Sequence, residues 1–158
     1  MDFYSNLAKG YNELYKEEQL KKLRIIKQNM KIIPPLLDIG CGTGISTSFF
    51  KVKSIIGIDN NKEMLKLAGK NCIYADATKL PFKNKSFSTI ISVTAFHNIK
   101  NINKALKEVK RVSSNNNICI TFLKKSKKLN HFRKLMKKHF KNIKEIKEEK
   151  DIIFIVII

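Results

Sequence analysis

The chain is short of acid. Its 158 residues carry 32 Lys and Arg against 13 Asp and Glu, a formal charge of +19 at neutral pH. It is short of cysteine too, with three, Cys41, Cys72 and Cys119, widely spaced. They form no CxxC pair and no Cys/His cluster, so neither a disulfide framework nor a zinc site is indicated, and no metal is expected. A reducing, cytoplasmic setting is the simplest inference. The start, "MDFYSNLAKGYNELY", has early charges and no apolar h-region, which excludes a signal peptide. No run approaches the roughly 20 apolar residues that span a bilayer. The longest, "IIFIVII", reads as a buried strand, and no membrane partner is expected. Glycine is scarce as well. There are six, and three of them, Gly40, Gly42 and Gly44, fall within the stretch "LLDIGCGTG", Leu36 to Gly44.

What is present is a core and a pattern. A chain of this length buries about 70% of its unfolded surface, enough for one domain over residues 1–158. Residues 1–30 read as a helical cover, 31–123 as a ligand-binding core, and 124–158 as a short helix with two late strands. The first helix runs from Phe3 to about Gln28, with Phe3, Leu7, Tyr11 and Leu14 at the spacing of one face. "IIPP" ends it. Strands and helices then alternate. The strands are "LLDIG", "KSIIGID", "NCIYADA", "FSTIISVTA", "NICITFL", "NIKEIKEE" and "DIIFIVII". Helices follow as "ISTSFFK", "NKEMLKLAGK", "INKALKEVKRV" and "LNHFRKLMKKHF". The expected fold is α/β: a doubly wound, Rossmann-like, seven-stranded and mostly parallel sheet with an antiparallel late strand and helices on both faces. Ligands in such sheets bind outside the carboxyl ends of the strands. Asp38, Asp59 and Asp76 lie at strand ends and are expected to face one crevice.

The excess charge is uneven. Residues 77–144 hold 18 basic residues against Glu108 alone. Such a field attracts polyanions, nucleic acid above all. Abundant Lys, Ile and Asn also fit a coding bias toward A and T, with solvated lysines on ordinary surface.

The glycine loop leaves a strand and opens a helix, so the dinucleotide fingerprint GxGxxG/A is the first test. It fails. Its sixth position is Ile45 counted from Gly40, and Thr47 counted from Gly42, where a small residue is needed. The loop "LLDIGCGTG", followed by "IIGIDNNKEML" and "CIYADATKLPFKNKSFSTIISVTAFHNI", instead resembles class I S-adenosylmethionine-dependent methyltransferases. It is most similar to the small type 11 subgroup that includes the quinone and menaquinone enzymes.

The resemblance implies S-adenosyl-L-methionine as cofactor. Asp59, with Asn60, would meet the ribose hydroxyls, and Asp76 and Ala77 the adenine. Gly40, Cys41, Gly42 and Gly44 would meet the methionine part, with Asp38 near its ammonium and Ser92 at the end of the fourth strand. Tyr11 matches a tyrosine that folds the first helix over the cofactor, while Tyr4 and Tyr15 suit plain packing equally. Other readings stand beside these. Asp59 suits an N-cap, Asp76 a turn, Asp38 a bond to the loop, and Cys41 simple space-filling.

The acceptor would enter at "SVTAFHNI". The Asn/Asp-Pro-Pro-aromatic motif of exocyclic-amine methylation is missing there, and so is a cysteine for cytosine-C5 chemistry. His97 is the one candidate base; lining the pocket is the alternative. Only "KKSKK", Lys124 to Lys128, fills the place where larger relatives insert a lid. An open, lysine-rimmed mouth suits a macromolecule, RNA first. A small quinone-like acceptor and a non-catalytic cofactor-binding subunit are the competing readings.

Overall fold

The computed structural model describes the backbone of residues 3–158 and the side chains from residue 13 onward. Helix α1 spans Phe3–Asn29, stopping ahead of Pro34. Then come β1 (Leu36–Ile39), α2 (Ile45–Phe49), β2 (Ile55–Asp59), α3 (Lys62–Leu65), β3 (Cys72–Tyr74) and β4 (Thr89–Ser92). A 3-10 turn over Phe96–Asn98 leads to α4 (Ile102–Val112), β5 (Ile118–Leu123), α5 (Leu129–His139), β6 (Ile143–Lys147) and β7 (Asp151–Val156).

The seven strands form one sheet in the order β3-β2-β1-β4-β5-β7-β6. The first five pair in parallel. β7 runs antiparallel to both β5 and β6. The chain steps outward from β1 to β3, then returns to the other side of β1 to start β4. That reversal opens a crevice at the carboxyl ends of β1 and β4.

Alternation along each strand builds two cores. Leu37, Ile39, Ile90, Ile118, Ile120, Phe122 and Phe154 face α4 and α5. Leu36, Ile91, Cys119, Ile153 and Ile155 face α1 and α2. The two faces are covered by helices, which is why the strands read as nearly continuous apolar runs. In α4, Ala105, Leu106, Val109 and Val112 are fully buried at helical spacing, and Asn101 caps the start by accepting from the Lys104 amide.

Two expectations change. Leu14 is 76% exposed, so it does not mark the packed face of α1; Lys22, Leu23 and Ile26 do. Phe3, Leu7, Tyr4 and Tyr11 lie outside the described side chains. The helix expected over "NKEMLKLAGK" closes after Leu65, because the Leu67 and Ala68 amides turn back to Met64 and Leu65 in tight 3-10 fashion ahead of Gly69.

Phe132 holds α5 on the sheet. Its ring stacks on Phe122 with centroids 4.3 Å apart and meets Phe154 edge-on at 5.1 Å. Phe132→Ala is expected to lower stability by about 3–5 kcal/mol in chemical denaturation.

Candidate active site

The loop after β1 is built by tension between two strands. The Gly40 and Cys41 amides both donate to the Ile58 carbonyl, at 2.8 and 2.9 Å. Gly40 and Gly42 take φ of 76° and 53°, a region that favours glycine. At Gly40 there is a second reason. A Cβ there would lie 2.3 Å from the Ala95 Cβ, where the segment leaving β4 crosses.

Asp59 ends β2 and ties the loop down. Its Oδ2 accepts from the Gly42 amide at 2.8 Å and its Oδ1 from the Asn61 amide at 2.9 Å. The N-cap of α3 is Asn61, which accepts from Glu63 and Met64, so Asp59 does not fill that role. Across the gap, Asp76 Oδ1 accepts from the Thr78 amide and hydroxyl at 2.9 and 2.8 Å. Those bonds hold its carboxyl below the ordinary value.

Between these parts lies a cavity of about 720 Å³, within the range of small-molecule sites. Gly40, Cys41, Gly42, Asp59, Asn60, Asp76, Ala77 and His97 all line it, and so does Tyr15. Asp38, Gly44 and Ser92 do not. Asp38 is fully buried under the loop, so the expectation that three carboxylates share the crevice holds for two. Gly44 backs onto Ala68, with φ 88°. Ser92 is buried and donates to the Ile39 carbonyl at 2.8 Å. Lys100 is the one lysine among the described lining residues. None of Lys124–Lys128 is among the described lining residues, although Lys128 acts electrostatically on His97.

Asp38 Oδ2 accepts from the Ser46 hydroxyl at 2.5 Å and the Thr47 hydroxyl at 2.8 Å. Its Oδ1 has no partner among the described residues. Burial raises its pKa to about 6; the two hydroxyls pull it down and nearby Asp59 adds to the rise. A half-satisfied carboxylate beneath the glycine loop, with Asp59 and Asp76 above, favours a cationic guest and repels phosphates.

The other end of the cavity holds a network that the sequence did not reveal. Lys22 of α1 is 1% exposed. Its Nζ donates to Thr94 Oγ1 at 3.0 Å and lies 3.4 Å from Asp151 Oδ2. The Thr94 and Thr121 hydroxyls both donate to that oxygen at 2.7 Å. Thr94 lines the cavity and carries φ 53°. Beside it, His97 Nδ1 is buried without a partner. Burial lowers the His97 pKa; Asp151 opposes this, and Lys128 and Lys22 reinforce it. The ring is thus neutral near pH 7. The signals for this network were a lysine on the apolar face of α1 and an acid at the head of "IIFIVII".

Comparison with known proteins agrees with this architecture. A family described as a methyltransferase domain matches residues 37–121. The uncharacterized protein MJ1252 of Methanocaldococcus jannaschii is 38% identical over 125 residues, covering 75% of this chain and 49% of that one. A demethylmenaquinone methyltransferase of Thermotoga maritima is 31% identical, covering 56% and 43%. A probable tRNA methyltransferase 9B of Bos taurus is 26% identical, covering 71% and 25%. Among solved structures, a Thermotoga maritima protein (TM1293), described as an S-adenosylmethionine-dependent methyltransferase and possible histamine N-methyltransferase, superposes with a TM-score of 0.77. It shares 18% identity, with 96% of each chain covered. The chain belongs to the methyltransferase-domain family, the class I, type 11 group of S-adenosylmethionine-dependent methyltransferase domains. It spans about half the length of the first curated relatives it matches. No described helix is long and apolar enough to cross a membrane.

Asp38 gives this site a pH signature. Its folded pKa, about 6, lies above the model-peptide 3.8, so the folded state holds the extra proton between those values. Stability from this group is present below about pH 4 and is lost as pH rises through 6. Asp38→Asn removes the titration. Relative to wild type, its stability is expected to rise between pH 4 and 7, on the order of 3 kcal/mol, in paired denaturation curves.

Proposed function

We propose that the cavity binds S-adenosylmethionine along the glycine loop, with residues 31–123 as the binding core of a single domain, and presents it to an acceptor entering beside His97. The observation that carries this reading is the placement of Asp59. It grips the Gly42 amide while facing the same cavity as Asp76.

In the proposed pose Asp59 and Asn60 take the ribose hydroxyls, and Asp76 with Ala77 takes the adenine. Gly40, Cys41 and Gly42 lie along the methionine part. Asp38 acts from below, its unpartnered oxygen supplying negative potential for the ammonium. Gly44 and Ser92 support the loop from behind, and Tyr11 stays as a proposed cover residue. When bound, the cofactor supplies an electrophilic methyl group on a sulfonium. The chain aligns the acceptor, and alignment is worth up to about 7–11 kcal/mol in favourable cases. His97, neutral and with a free Nδ1, is placed to take a proton where the acceptor must lose one.

For the acceptor, the charge distribution favours RNA or another macromolecule. Lys104, Lys107 and Lys110 on α4 and Lys125, Lys127 and Lys128 after β5 are exposed, and no lid separates β5 from α5. The demethylmenaquinone methyltransferase among the relatives supports the second reading, a small quinone-like acceptor.

Three measurements test these statements. Asp59→Ala is expected to weaken S-adenosylhomocysteine binding in calorimetry by about 1.5–3 kcal/mol, the scale of bonds to a charged group. Unchanged affinity refutes the pose, and no binding by the wild-type chain favours a non-catalytic scaffold. Labelled cofactor incubated with fractionated cell extract is expected to mark an RNA fraction. In gel shifts, tRNA binding is expected at low salt and to weaken as salt rises. Label in a lipid fraction instead assigns the quinone-like acceptor.

A further inference from the structure

Two of the three cysteines, far apart in sequence, meet in the fold. Cys41 belongs to the glycine loop and lines the cavity. Cys72 opens β3 and is partly exposed. Gly57, on β2, brings them together. It pairs with Cys72 in the parallel ladder, and paired residues of neighbouring strands send their side chains to one face.

The space over Gly57 is filled from the loop and α2. A Cβ on Gly57 would lie 2.7 Å from Cys41 Cβ, 2.9 Å from Cys41 Sγ and 2.8 Å from Thr47 Oγ1. Cys72 Sγ lies 3.6 Å from the same Thr47 hydroxyl and donates to it. Both sulfurs therefore lie beside the same Thr47 side chain, on one face of β2.

The two thiols sit in different environments. The neighbouring Cys41 thiol holds Cys72 below the ordinary thiol value, against the effect of its partial burial. Cys41 is pushed far up by Cys72, by burial and by Asp38. One sulfur is thus a ready nucleophile, and its neighbour is a protonated thiol in contact with it, the arrangement of an attacking and a resolving cysteine. Cys119 is fully buried and pushed up by burial alone.

We propose that Cys41 and Cys72 form an oxidation site, closed by a peroxide into an intramolecular disulfide that displaces the glycine loop; its effect on cofactor rests on the binding pose above. The Cys72 thiolate attacks one peroxide oxygen. The O–O bond breaks, and the departing oxygen takes a proton to leave as water, with a sulfenic acid on Cys72. The Cys41 sulfur then attacks the Cys72 sulfur. The sulfenic hydroxyl and the Cys41 proton leave as a second water, and the S–S bond forms. Two thiols are oxidised by two electrons and one peroxide is reduced to two waters.

A disulfide brings the sulfurs to about 2.05 Å, well inside hydrogen-bonding distance. Cys41 must therefore move toward β3. It is flanked by Gly40 and Gly42, and its movement pulls the Gly42 amide away from Asp59.

The test uses the full chain. Protein treated with hydrogen peroxide is alkylated and digested without reduction. Mass spectrometry reads the linkage, and calorimetry reads S-adenosylhomocysteine binding before and after treatment. The expected result is a Cys41–Cys72 linked peptide and at least about a tenfold loss of affinity, reversed by dithiothreitol. Cys72→Ser, outside the cavity lining, is expected to bind as wild type does and to keep its affinity in peroxide; Cys72→Ala serves if the serine variant is unstable. No linkage, a linkage through Cys119 or between two chains, or a Cys41–Cys72 bond with unchanged affinity overturns the proposal. If the reduced wild-type chain binds no S-adenosylhomocysteine, the pose fails instead. Hydrogen exchange at the Gly42 amide then decides the oxidation site: faster exchange on oxidation supports it, and unchanged exchange overturns it.

Discussion

Everything at this site depends on one crossing. The chain leaves β1 at Gly40 and leaves β4 at Ala95, and the two departures pass so closely that a side chain on Gly40 would overlap the Ala95 methyl. The crossing sits at the reversal of strand order, the one place in the sheet where neighbouring strands send their loops in opposite directions. The missing side chain keeps the main chain within reach of a ligand. Asp59 then fixes the loop from β2, and Thr94 and His97 flank Ala95 on the β4 side. The glycine loop and the segment after β4 are thus the two sides of a single contact.

The distribution of charge follows the same division. The cavity wall is acidic, with Asp59 and Asp76 on it and Asp38 beneath, in a chain that carries +19 overall. Most of the lysines are on exposed helical faces and turns, where hydration is cheap. The exception is Lys22, which is buried against Asp151. A carboxylate-lined cavity in a basic protein sets two fields apart, negative inside and positive outside.

Much of this was legible in advance, for physical reasons. The sheet could be read because its strands are covered on both faces and so appear as short apolar runs between glycine and asparagine turns. The loop could be read because three of six glycines crowd into five residues, and Asp59 and Asp76 because one ends a strand and the other lies just past one. What could not be read is what depends on contact between distant segments. Asp38 looked like a wall residue because strand ends face the crevice; two hydroxyls one turn into α2 hold it below the loop instead. Leu14 looked like core by spacing, but it is exposed, and the packed face of α1 lies at Lys22, Leu23 and Ile26. Cys41 and Cys72 gave no sequence signal, since only the β2–β3 register and the bare face of Gly57 bring them together.

Lys22 and Asp151 lie near opposite ends of the sequence and form an ion pair in the interior, completed by the hydroxyls of Thr94 and Thr121. Either charge left alone in that interior is strongly unfavourable. On the ribosome the lysine emerges long before its counter-ion exists. The buried lysine of the first helix therefore gains its counter-charge only when the closing strand is made.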